Sequence, residues 1–110
     1  MLTLNVGGTL FQCTRQTLTQ SNTFFTGLVE TDPSLNASPL FIDRDGTHFR
    51  FILNWLRGVR FLPPDDAILS ELAYEADYYA MEDMVEAIRA RRGTHPPLTR
   101  SLFQLSSRPA

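Results

Sequence analysis

The chain changes its hydrophobic period once, and that change limits what it can fold into. Leu2, Leu4 and Val6 alternate with Thr3 and Asn5, the two-residue period of a half-buried strand. From Thr47 onward the period is helical. Phe49, Ile52, Leu53 and Leu56 fall on one helical face, as do Ile68, Leu69, Leu72, Ala73 and Ala76, and then Met81, Met84, Val85 and Ile88. No convincing strand follows Thr47, so the chain lacks the material for a large parallel sheet. Gly7-Gly8 suits the positive-φ turn of a tight hairpin, and Thr9 to Cys13 reads as the returning strand. Thr14 is expected to cap a short helix, and Ser21-Asn22 a second one carrying Phe24, Phe25, Leu28 and Val29. Residues 31–39 are turn formers. Leu40-Phe41-Ile42 reads as a short, buried third strand. Gly58 suits the end of the helix over Thr47–Arg57, Pro63-Pro64 forbids helix, and Asp65 or Asp66 caps the next one. The expected architecture is α+β: a small three-stranded sheet in the N-terminal half covered by a cluster of about five helices.

At 110 residues the chain is one domain's worth. We expect the domain at residues 1–92 and a linker or tail at 93–110, where the composition turns to Pro, Ser, Thr and Arg. Ten basic and twelve acidic residues leave a net charge of −2. That argues against nucleic acid as the main partner, since no cation excess exists to displace phosphate counterions. No apolar run approaches the ~20 residues of a membrane span, and the opening residues do not resemble a secretory signal. Cys13 is the only cysteine, which excludes an internal disulfide and a cysteine-cluster zinc site. All ten cations are Arg. The absence of Lys removes Schiff-base chemistry and a P-loop together.

One local motif suggests catalysis. The apolar run Leu40-Phe41-Ile42 followed by Asp43-Arg44-Asp45-Gly46-Thr47 resembles the first motif of haloacid-dehalogenase-type phosphatases. There, Asp43 would be the nucleophile, Asp45 the acid/base, and Mg²⁺ would bridge both to the phosphate. The rest of the chain speaks against it. That family puts the motif on the first strand of a doubly wound sheet and holds the phosphoryl group with a cation, usually Lys. The alternative is a strand end whose Asp45 caps the coming helix, with Gly46 in the turn. His48 and His95 are far apart and read as a surface residue and a tail residue. Asn36-Ala37-Ser38 matches a glycosylation triplet, expected to be a chance loop sequence. Glu71, Glu75, Asp77, Glu82 and Asp83 read as a solvated acidic face.

Taken in order, the motifs fit another family. They are Leu4-Asn5-Val6-Gly7-Gly8-Thr9, Thr14-Arg15-Gln16-Thr17-Leu18, Phe41 to Gly46, Phe49-x-x-Ile52-Leu53-Asn54-x-Leu56-Arg57, Leu62-Pro63, and Glu75-Ala76-Asp77-Tyr78-Tyr79. Together they resemble the BTB/POZ domain of the potassium channel tetramerisation type, and most closely that of the KCTD proteins. The resemblance runs from Leu2 to about Arg91. It implies a non-enzymatic, cytoplasmic module for homo-oligomerisation and protein binding, with no cofactor. Such domains close into rings, tetramers in the channels and often pentamers in KCTD proteins. Several KCTD proteins are adaptors that hold substrates for cullin-3 ubiquitin ligases. Some relatives join subunits through zinc held by a His and three Cys, which a chain with one Cys cannot do.

A ring contact is heterologous, so one side of the domain must complement the opposite side. Arg–carboxylate pairs fit that task. Arg15, Arg44, Asp45 and Asp77 are the expected oligomer-interface residues; the other reading is that such pairs tie sheet to helices within one chain. On the interface reading, Arg44→Glu should weaken assembly. Phe51 and Trp55 lie one helical turn apart, off the main stripe; they are expected to be core against the last helix, the other reading being an exposed partner patch. The family usually has Gly where this chain has Ala80, which should resist a left-handed turn and soften or shift the break near Met81. Leu102, Phe103 and Leu105 form a small apolar cluster that packs on the domain or leads into another one.

Overall fold

The computed structural model describes residues 1–32 and 38–93. The expected hairpin forms from β1 (Leu2–Val6) and β2 (Thr9–Cys13), paired antiparallel with Val6 opposite Thr9. Gly7 and Gly8 make the turn at φ 59° and 103°, the left-handed conformations that a two-residue hairpin turn demands. The Asn5 carboxamide braces it by accepting the Gly8 N–H at 2.7 Å. β3 (Leu40–Ile42) joins the other edge of β1 in parallel, Leu4 opposite Leu40, giving the order β2-β1-β3.

Five helices accompany the sheet among the described residues: α1 (Arg15–Thr19), α2 (Phe24–Thr31), α3 (Phe49–Leu56), α4 (Asp66–Tyr78) and α5 (Glu82–Arg92). Thr14 caps α1 as expected, and Asp65 caps α4 by accepting from the Ala67 and Ile68 N–H groups. The cap of α2 is one residue later than the sequence suggests. Thr23 and Thr26 form a reciprocal capping box there, which neither Ser21 nor Asn22 can match from its position. In α5 the acids Glu82 and Asp83 open the helix and Arg89, Arg91 and Arg92 close it, as the helix dipole favours.

The core lies between the inner sheet face (Leu2, Leu4, Val6) and the buried stripes of the helices. Its centre is aromatic. Tyr79 stacks on Phe25 at 4.9 Å, and Phe49 meets Tyr79 edge-on at 5.4 Å, geometries that suit the ring quadrupoles. Burial pushes the Tyr79 hydroxyl's pKa up.

Three expectations need correction. β3 is not wholly buried: Phe41 alternates outward and is 59% exposed, because the described residues cover only one face of this small sheet. Trp55 is core, but Phe51 is only half-buried and stacks on exposed Phe61 at 6.2 Å. Ala80 makes the left-handed turn that an alanine should resist, at φ 56°. The Met81 N–H reaches back to the Ala76 carbonyl at 2.9 Å and the Ala80 N–H to that of Asp77 at 3.0 Å, satisfying the end of α4. Burial of Tyr79 and Met81 on either side holds Ala80 in place. A left-handed alanine costs about 1–2 kcal/mol. Ala80→Gly is therefore expected to stabilise the domain by about 1 kcal/mol, seen as a higher midpoint in urea with an unchanged slope.

Candidate assembly and partner surfaces

The segment that follows β3 is clamped from both sides. The Gly7 N–H bonds to the Ile42 carbonyl at 3.0 Å. A Cβ at Gly7 would lie 2.3 Å from the Arg44 carbonyl oxygen, and one at Gly46 would lie 2.6 Å from that of Val6. The hairpin turn and the Asp-Arg-Asp-Gly segment thus approach too closely for side chains at either glycine. This fixed backbone aims Arg44 at α4. Its Nε donates to Glu75 Oε1 at 3.1 Å and its Nη2 to Oε2 at 2.7 Å, while the guanidinium stacks 4.3 Å from the Tyr78 ring centre. A planar two-bond fork gives both strength and direction. The hydrogen bond to Glu75 raises the Arg44 pKa further.

Asp45 serves its own turn. Its Oδ1 accepts from the Thr47 N–H at 2.9 Å and the Thr47 hydroxyl at 2.6 Å, and these two bonds lower its pKa. It stops short of capping α3, which begins at Phe49 with His48 at the N-cap. His48 is not a simple surface residue. Its imidazole is 14% exposed and its Nε2 lies 2.6 Å from Glu71 Oε1. Asp45, His48, Glu71, Tyr74 and Glu75 line an acidic hollow of ≈ 340 Å³ between this turn and α4.

Arg44 and Asp45 thus sit together beside α4. Arg15 is exposed at the start of α1 and donates to the Val29 carbonyl at 3.4 Å. Asp77 is exposed and faces a groove between α4 and α5. The sequence reading had singled out neither Glu75 as the partner of Arg44 nor Tyr78 as its platform. Their i, i+3 spacing on α4 was the available signal. Nothing in the sequence marks Leu10, Phe41 and Phe61 as exposed apolar positions. Leu10 and Phe41 stand opposite Asn5 in the two strand registers, so one row across the outer sheet face carries two large side chains, 62% and 59% exposed. Beyond the end of α3, Val59 and Phe61 are exposed, and the Phe61 ring stacks on Phe51. Asp83 anchors that corner. It accepts from Trp55 Nε1 at 3.2 Å and Arg60 at 2.6 Å. Burial alone would raise its pKa, but these bonds outweigh burial and lower it.

The phosphatase motif has no frame here. β3 is an edge strand with a single parallel neighbour in a three-stranded sheet. Among the described residues no group of three or more His, Cys, Asp or Glu is placed to hold a metal ion, and no helix is long and apolar enough to cross a membrane. His95, Asn36 and the 102–105 cluster lie outside the described residues.

A small half-covered sheet, exposed apolar rows and arginine–carboxylate clamps define an interaction domain of the α+β class. The family model described as BTB/POZ domain matches residues 2–88. The chain belongs to the BTB/POZ family, in its potassium channel tetramerisation, KCTD-like branch. It is 38% identical over 96 residues to the BTB/POZ domain-containing protein KCTD21 of Homo sapiens and of Mus musculus, covering 82% of this chain and 36% of each relative. It is 39% identical over 98 residues to the FH protein interacting protein FIP2 of Arabidopsis thaliana, covering 84% of this chain and 33% of that protein. The chain spans about a third of the length of these relatives. Domains of this family are non-enzymatic modules for protein interaction and oligomerisation.

Proposed function

We propose that this domain closes with copies of itself into a ring of four or five and works as a cytoplasmic adaptor, binding cullin-3 through the ring and presenting a ubiquitin-ligase substrate. The observation that carries assembly is the sheet face that no described residue covers. Leu10 and Phe41 form an apolar row on an otherwise polar surface, which gains by being buried against a neighbour. The polar frame beside it supplies register. Arg15, Asp45 and Asp77 are exposed and Arg44 keeps part of its side chain accessible, so each is available to a neighbouring copy. The Phe51–Phe61 stack is a separate, partly exposed apolar surface, and it is there that we seat cullin-3.

Mass by light scattering after size exclusion tests the ring. One chain is 12.5 kDa. A closed ring gives a single species at about 50 kDa for four copies or about 62 kDa for five; a monomer at micromolar concentration overturns assembly. Phe61→Asp is expected to keep that mass and to lose binding to the N-terminal part of cullin-3. Unchanged binding would remove the Phe61 surface from the proposal.

A further inference from the structure

The face where α4 packs on α5 is incompletely filled. Two adjoining hollows of ≈ 630 and ≈ 280 Å³ run along it and share Ala73, Val85, Arg89 and Arg92. Ala73, Val85 and Ile88 supply the apolar lining, and Tyr74, 73% exposed, stands at the rim. Gly93 lines the larger hollow, so the last described residue lies in the groove itself. The residues that follow carry a further apolar cluster, Leu102, Phe103 and Leu105.

We propose that this groove is the seat of the chain's own residues 102–105. Three arguments favour that occupant over a separate partner. The first is reach. Leu102 lies nine positions beyond Gly93, an extended span of up to about 30 Å. The groove is no longer than α4, whose 13 residues rise about 20 Å. The second is charge. Every one of the twelve carboxylate side chains precedes Gly93, whereas residues 94–110 carry Arg100 and Arg108 and no Asp or Glu. Arg89 and Arg92 on the rim are already matched by Glu86 at 2.5 Å and Asp66 at 3.0 Å, so the rim does not repel a basic segment strongly, and Asp77 attracts it. The third is effective concentration: a tethered segment meets the groove at the millimolar level that a short linker imposes, which a free partner must outcompete. A seated segment keeps the groove and Tyr74 from other proteins until it is displaced.

The full chain with p-benzoylphenylalanine in place of Phe103 tests this by photo-crosslinking, denaturing electrophoresis and peptide mapping. The expected product has the mass of one chain, with the adduct on residues 70–92. Tyr74→Ala, at an exposed position that leaves the fold intact, and Leu102→Asp are each expected to lower its yield severalfold. A product of two-chain mass would show that the groove takes a neighbouring copy and would overturn the proposal. So would adducts mapped elsewhere on the domain, no adduct at all, or a yield indifferent to both substitutions. The readout is the same for a ring and for a monomer, so failure of the assembly reading and failure of this one are told apart.

Discussion

Gly7→Ala is expected to destabilise the domain by about 3 kcal/mol or more, a fall in melting temperature of at least about 12 °C for a domain of this size. Two effects add. The residue sits at φ 59°, where an alanine costs about 1–2 kcal/mol. Its new Cβ would also lie 2.3 Å from the Arg44 carbonyl oxygen, and backbone must move to relieve that contact. The movement would disturb the Gly7–Ile42 hydrogen bond and the turn that aims Arg44. Gly8→Ala is the matched control. It has φ 103° but nothing within 4 Å of the added atom, so only strain remains, about 1 kcal/mol. Thermal unfolding followed by circular dichroism decides the matter. Equal losses at the two positions would mean that the hairpin turn and the Arg44 segment do not constrain each other.

Arg44→Glu is expected to cost about 2–4 kcal/mol, below the full effect of breaking a buried pair because the Arg44 side chain is 29% exposed and that of Glu75 15%. The variant puts two carboxylates where a two-bond fork stood and removes the cation from the Tyr78 ring. Glu75→Arg in the same chain should restore roughly half of the loss, since the pair is reversed but the geometry is not ideal. Denaturant titration gives the cycle, and mass in solution separates two roles for Arg44. If the reversed pair restores both stability and the ring, Arg44 acts by holding the strand end to α4. If it restores stability but leaves a monomer, Arg44 also touches a neighbouring copy. No rescue of stability would show that the Glu75 contact does not hold the fold.

The fold was legible where period and punctuation agree. The period-2 run of β1 with its glycine pair, and the helical stripes between Pro63-Pro64 and Gly93, mark their elements, with only the cap of α4 and the break near Met81 left open. What escaped was decided by contacts distant in sequence. Phe41 is apolar, so nothing local says that it faces outward; that follows from β3 pairing with β1 and from the helices covering only one side. Ala80 contradicts its local preference because the packing of Tyr79 and Met81 outweighs a cost of about 1–2 kcal/mol. The candidate site was half legible. Arg44 and Asp45 stand out as charged residues ending an apolar strand, but their partners are Glu75 in one case and Thr47 in the other, and only the three-dimensional path of α4 reveals the first. The same Asp-Arg-Asp-Gly-Thr run that suggested phosphoryl transfer is a structural corner, which is why a local motif without its surrounding sheet misleads.

The parallel pairing of β1 with β3 also sets the order in which the molecule can be made. Leu4 faces Leu40, and everything between them must leave the ribosome first. The β1–β2 hairpin emerges early but is marginal alone, and its apolar face stays uncovered for the seconds that the following residues take at about 5–20 residues per second. Chaperone dependence should therefore concentrate on chains whose Ile42 has not yet emerged, and a pause once it has left the ribosome would let the sheet close before the helices are complete.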